Sequence, residues 1–240
     1  MKNTLKDFGP VYVINLKSRE DRLEHIKKEF NRYNVKDYTI VEAIDGSAED
    51  LALLVENIEQ VPLSKPEIAT AISHLKAIKQ WLETSESEYA VIIEDDLTFE
   101  TVENWQWDWN GFLSRIDTYY DIIQLAIINP GKVNTSLHYR EIRDFSAACY
   151  VIKRSWAKTL ISKHIVDDKF IFNGKDLSRL VADGLVYNGA ICLSFPLFTY
   201  SVNFKSSINE EHVHTIHTKS RNETLKFWKT NPKTLYRKLN

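Results

Sequence analysis

Cysteine is nearly absent from this chain of 240 residues: only Cys149 and Cys192 occur, each inside an apolar run. Such residues behave as small hydrophobes, so two buried, reduced thiols are expected, although the sequence leaves a disulfide between them open. Long apolar runs are missing too. No window of about 18 apolar residues exists, which excludes a single-helix membrane span. Met1 to Asp7 carries charge with no apolar stretch behind it, so no signal peptide is expected and a cytoplasmic location follows as the default. Nor is there a basic excess. The net charge is −2, from 31 Lys and Arg against 33 Asp and Glu, and a partner tracked by its phosphates, nucleic acid above all, is not expected. Internal repeats and low-complexity segments are absent.

What is present is enough apolar material for a core, with 43% hydrophobic and 12% aromatic residues. The length suits one large α/β domain better than two. Val11-Tyr12-Val13-Ile14-Asn15-Leu16 reads as a buried strand, followed from Ser18 by a helix whose stripe is Leu23, Ile26, Phe30 and Tyr33. Tyr38 to Val41 is a second strand, closed by Asp45-Gly46, so the chain opens β–α–β, as a parallel sheet does. Ser64 is a candidate N-cap for a helix from Lys65 to about Glu83, with Pro66 and Glu67 in its first turn. Further buried strands are expected at 89–93, 121–126, 147–152 and 191–198, with a helix from Ser155. Trp105, Trp107 and Trp109 stand at alternate positions and read either as cover for the sheet or as a stacking platform for a sugar ring.

The strand at 89–93 runs directly into Glu94-Asp95-Asp96. Alternation along a strand puts Glu94 and Asp96 on one face and Asp95 on the other. Adjacent carboxylates at the carboxyl edge of a sheet repel unless something positive compensates them, and a hard divalent cation with oxygen ligands would do so. Taken alone, the triplet is equally readable as a solvated turn.

Other segments change that balance. Val11 to Leu16 followed by Lys17-Ser18-Arg19-Glu20-Asp21-Arg22, then Glu42-Ala43-Ile44-Asp45-Gly46, then Glu67-Ile68-Ala69-Thr70-Ala71-Ile72-Ser73-His74-Leu75, then Val91-Ile92-Ile93-Glu94-Asp95-Asp96 follow one another in the order of a known family. A looser fifth element is Ser146 to Ala157. The chain resembles glycosyltransferase family 25, which includes lipopolysaccharide glycosyltransferases and collagen galactosyltransferases. The resemblance implies a GT-A-like single domain with a mostly parallel central sheet flanked by helices. It also implies inverting, metal-dependent transfer of a hexose, galactose for instance, from a UDP-sugar to a hydroxyl of a glycan, a glycolipid or a hydroxylated protein side chain.

In that frame Asn15, Arg19, Arg22, Asp45, Glu67, Ser73, His74 and Asp95 are the donor-binding candidates. Arginine suits bidentate phosphate contacts, and Asp45 could meet a ribose hydroxyl, though Asp-Gly is also an ordinary turn. Glu94, Asp96 and His214 are the candidate ligands of Mn²⁺ or Mg²⁺, His214 lying in a cluster with His212 and His217. Inversion needs a base for the acceptor hydroxyl; Asp176 is the first candidate, with Asp183, Asp167 and Asp168 as rivals. Domain organisation is expected to be a catalytic domain over 1–218 and a basic, aromatic tail over 219–240. The tail suggests peripheral contact with an anionic membrane or a phosphorylated glycolipid, or else simple packing. Two other classes remain open from sequence: a metal-dependent phosphohydrolase or nucleotidyltransferase, and a non-catalytic glycan-binding protein of the same fold.

Overall fold

The computed structural model describes residues 4–116, 118–204 and 213–233, with only the backbone of Ser178, Val213 and His214. Its centre is a seven-stranded sheet in the order β2-β1-β3-β7-β5-β10-β6. These strands are β1 (Val11–Asn15), β2 (Tyr38–Glu42), β3 (Tyr89–Glu94), β5 (Ile122–Gln124), β6 (His138–Tyr139), β7 (Cys149–Lys153) and β10 (Cys192–Ser194). β1, β2, β3, β5 and β10 run one way; β7 is antiparallel to both its neighbours, and so is the edge strand β6 to β10. The sheet is therefore mixed and largely parallel. An apolar run carries no sign of its direction, which is why β7 read like its neighbours. Short pairs β4 (Leu97–Thr98) with β11 (Thr199–Tyr200), and β8 (Ile165–Val166) with β9 (Lys169–Phe170), lie outside the main sheet.

Strand alternation sorts the core into two layers. Tyr12, Ile14, Ala90, Ile92, Tyr150 and Ile152 face one side and meet α2 (Lys65–Thr84), α4 (Arg154–His164) and α5 (Ala182–Tyr187). Val11, Val13, Val91, Ile93, Cys149 and Val151 face the other, against α1 (Glu20–Tyr33), α3 (Trp109–Leu113) and α6 (Thr218–Thr230). Both cysteines are buried free thiols on different strands. Burial pushes the Cys192 thiol up to about 12, so it is inert.

α6 alters the expected division of the chain. The segment from 219 was read as a separate tail, yet its helix is packed into the second layer, with Trp228 fully buried and its Nε1 donating to the Pro196 carbonyl at 2.7 Å. Ser220 Oγ accepts from Asn129 N and donates to Asn129 O, and Arg221 pairs with Glu100. The spacing hid this because the buried face is Ser220, Thr224 and Trp228, only one of them a large apolar residue, in a helix otherwise rich in charge. The tryptophan series resolves likewise in favour of packing: Trp105 and Trp109 are buried, and Trp105 stacks on Trp107 at 4.3 Å and leans on Trp228. Trp107 is half-buried, with one face against Trp105.

A loop from 128 to 146 closes over the end of the sheet, held by Asp144. Its buried carboxylate accepts from His138 Nε2 (3.0 Å), Glu141 N (2.9 Å) and Asn129 Nδ2 (3.2 Å). Burial by itself would raise Asp144 and lower His138. The hydrogen bond between them, together with those from Glu141 N and Asn129 to Asp144, the Ser136 carbonyl on His138 and the neighbouring charges, outweighs it on both sides, leaving Asp144 below and His138 above their ordinary values. The acid's stabilisation is present above about pH 4 and fades as pH falls through its depressed value. The histidine's is complete below about pH 6.5 and fades as pH rises through its elevated one. Stability from this pair is thus greatest between about pH 4 and 6.5. Asp144→Asn is expected to cost about 3 kcal/mol in urea denaturation near pH 6 and to remove the decline of wild-type stability above neutral pH. An unchanged pH profile would contradict this.

Candidate active site

The parallel pairing of β2, β1 and β3 brings three strand ends to one edge, with Asn15 opposite Glu42 and Ile14 opposite Glu94. Ligands of open α/β sheets sit beyond such carboxyl ends. Three short connections leave this edge: the turn into α1, the loop 43–47, and Asp95-Asp96.

The loop 43–47 is held by α2. Ser73 Oγ accepts from Ile44 N at 2.9 Å while donating to Ala69 O at 2.6 Å, so this buried serine ties the loop to the helix. Beside it Gly46 touches the first turn of α2 so closely that a Cβ would lie 2.6 Å from Lys65 O. Gly46→Ala is expected to cost about 2 kcal/mol and shift the loop, seen as a lower urea midpoint; a neutral change would show that the helix start yields freely. Asp45 turns its Oδ1 back to Ser47 N at 2.9 Å and lines the cleft beside it. Glu67 caps its own helix, accepting from Ser64 N and Oγ, and its side chain borders the cavity.

β3 ends at Glu94, which lies on the α2 face as Ile92 does. There His74, fully buried, has its Nε2 3.4 Å from Glu94 Oε1 and its Nδ1 3.1 Å from the Tyr150 hydroxyl. The first contact does not meet hydrogen-bond geometry, and Nε2 has no hydrogen-bond partner among the described residues. Asp95 takes the α1 face, accepting from Asn15 Nδ2 at 2.8 Å and from Arg22 Nη1 at 3.0 Å. The same Arg22 nitrogen reaches Asp96 Oδ2 at 3.0 Å. Asp96 lies past the strand in a turn, so the guanidinium spans two adjacent carboxylates while Asp96 still shares a cavity with Glu94. Arg19 holds Asp21 with two bonds of 2.9 Å at the start of α1 and borders the cleft.

One guanidinium does not balance three carboxylates. Burial, and then the charge of Glu94, push the Asp96 carboxyl up to about 7 against Arg22. Burial opposes ionisation of Glu94 too, but His74 and the charges of Arg22 and His217 hold it below its ordinary value. Buried oxygen donors of this kind fit a hard divalent cation, which needs one or two protein carboxylates beside phosphate oxygens. Among the described residues no group of three or more potential ligands is already gathered.

Beyond the triplet the cleft opens into a cavity of about 500 Å³ walled by Glu94, Asp96, Ala147, Asp183, Tyr200 and His217, among others. His217 is therefore the member of the histidine cluster placed beside the triplet. The side chain of His214, and His212 altogether, lie outside the described residues. Asp176 is not in this cavity; it pairs with Arg179 at 3.0 Å on an exposed rim nearby. Of the candidate bases it is Asp183, at the start of α5, that lines it. Its Oδ2 is 3.2 Å from Arg140 Nη2, and Gly184 N donates to its Oδ1. Of the other rivals, Asp168 pairs with Lys79 at 2.8 Å on an exposed face. Sequence reasoning overlooked Arg140 and Tyr150, whose roles exist only through contacts with distant residues.

Residues 8–168, more than half of the chain, match the model of glycosyltransferase family 25 (LPS biosynthesis protein), and the chain belongs to that family. It is accordingly an enzyme of the glycosyltransferase class. A stretch of 106 residues is 33% identical to procollagen galactosyltransferase 1-A of Xenopus laevis, covering 39% of this chain and 17% of that much longer protein. Among solved structures, A197 from STIV is similar at 10% identity and a TM-score of 0.46, over 79% of this chain and 82% of its own. The inositol-1-phosphate CTP transferase from T. maritima is similar at 10% identity and a TM-score of 0.40, over 90% and 96%. With scores this low the family assignment rests on the sequence match. No described helix is long and apolar enough to cross a membrane.

Proposed function

We propose that the protein transfers a hexose, galactose being the first to test, from a UDP-sugar to a hydroxyl of a glycan, a glycolipid or a hydroxylated side chain, with inversion. The observation that carries this reading is the shared cavity: Glu94 and Asp96 on one wall and Asp183 on another. Glu94 and Asp96 would hold Mn²⁺ or Mg²⁺, which when bound supplies positive charge to the departing diphosphate. His74, packed between Tyr150 and Glu94, keeps the Glu94 carboxylate aimed at the cavity. Arg22 holds Asp95 and Asp96 at fixed spacing, and Asn15 fixes Asp95 from the other side. The loop 43–47 and Arg19 line the neighbouring part of the cleft and would receive the nucleotide.

Inversion asks for a carboxylate that takes the acceptor proton on the side away from the leaving group. Asp183 suits that role better than Asp176, because it lines the cavity and Arg140 orients it. Asp183→Asn is expected to lower transfer roughly a hundredfold while UDP affinity stays unchanged. A panel of UDP-sugars scored for UDP release with and without Mn²⁺ identifies the donor. Release of pyrophosphate or inorganic phosphate instead of UDP would overturn the reading.

A further inference from the structure

The cavity holding the triplet does not end at Asp183. Phe145, Val181 and Asp183 also wall a second, wider cavity of about 970 Å³ on the outer side of α5. Its lining is unlike that of the first. Arg140, Lys163, Lys175 and Arg179 contribute four cations, against the carboxylates of Asp176 and Asp183. Those two acids are engaged: Asp183 by Arg140 and Asp176 by Arg179. Lys163 and Lys175 have no carboxylate within ion-pair distance among the described residues, so the chamber keeps two uncompensated positive charges in a chain that is negative overall. The remaining wall is apolar and open, with Ile142 76% and Phe145 45% exposed.

We infer that this second cavity is the acceptor site and that it selects an acceptor carrying an anionic group, phosphate or carboxylate, near the hydroxyl that is glycosylated. The inference rests on the proposed transfer reaction for its direction: a hydroxyl beside Asp183 places the rest of the acceptor in the chamber beyond it. Lys163 and Lys175 then meet the anion, and the ring's apolar face lies on Ile142 and Phe145. Two partly exposed ion pairs of this kind correspond to about a five- to tenfold preference.

The test compares glucose, glucose 6-phosphate and glucuronate as probes binding to the full chain, followed by ligand-observed NMR titration, with the Lys163→Gln/Lys175→Gln double variant alongside. Both anionic sugars are expected to bind about five- to tenfold more tightly than glucose, and to lose that advantage in the double variant and in high salt. A preference for glucose 6-phosphate alone would assign the anion as phosphate, and for glucuronate alone as carboxylate; either supports the inference. Equal binding of all three probes, or an anion preference that survives in the double variant, would overturn it. UDP binding, measured in parallel, is expected to be the same in both proteins. Failure of UDP to bind the wild type would count against the transferase reading, while the anion preference and its loss in the variant would still be read on their own.

Discussion

Asp96→Asn is expected to lower sugar transfer by about a thousandfold while leaving the protein folded. The carboxylate sits in the turn beyond β3, shares its cavity with Glu94, and is one of the two carboxylates proposed above to hold a divalent cation. Removing one such electrostatic partner of a developing negative charge typically lowers turnover by two to three orders of magnitude, and losing a metal ligand belongs at the upper end. The fold should not suffer. Ser201 N donates to the Asp96 main-chain carbonyl at 2.7 Å, which the substitution leaves in place, and an asparagine oxygen can still accept from Arg22. One of three adjacent carboxylates is also neutralised, so the melting temperature is expected to equal or exceed that of the wild type. Transfer rates with the best UDP-sugar, and Mn²⁺-dependent UDP binding by calorimetry, check the site; circular dichroism checks the fold. Unchanged metal-dependent UDP binding would remove the triplet from the donor site.

Trp228→Ala has the largest expected effect on stability, a loss of about 4 kcal/mol. The indole is fully buried among Trp105, Trp107, Phe195 and Phe227, and its Nε1 donates to the Pro196 carbonyl. Truncation to alanine leaves a cavity and deprives that carbonyl of its donor. Against a typical domain stability of about 5–15 kcal/mol, the loss is a large fraction. Urea denaturation of the variant gives the number. A change below about 1 kcal/mol would restore the view that the chain from 219 onward is an appendage. The same packing bears on membrane contact through this segment: the aromatic residues of α6 are turned toward the core, which leaves Lys219, Lys226 and Lys229 as its exposed cations.

The legible parts of the fold were those where one physical pattern dominates. β1, α1, β2, α2 and β3 each show an apolar period that ends at polar residues, and their observed bounds differ from the expected ones by one or two residues at most. α2 even announces its start: Ser64 was the candidate N-cap and Glu67 a first-turn acid, and the two close a capping box. For the site, period-two alternation separated Glu94 from Asp95, and the structure gives the two residues different partners, His74 and Arg22. The packing of the helix that begins at Thr218 was hard to read for a contrary reason. Helix charge on the outer face masked a few apolar residues whose burial depends on partners far back in the chain.

By itself the sequence determined the α/β class, the opening β–α–β unit, the acidic triplet at a strand end and the family, because each is written in local periodicity or in a short ordered motif. Only the tertiary structure decided that β7 runs against its neighbours, that Arg22 spans Asp95 and Asp96, that Asp183 rather than Asp176 lines a cavity with Glu94 and Asp96, and that Trp228 belongs to the core. Each of those depends on which residues, tens of positions apart, share a contact once the sheet has closed, and pairing across such distances leaves no local mark.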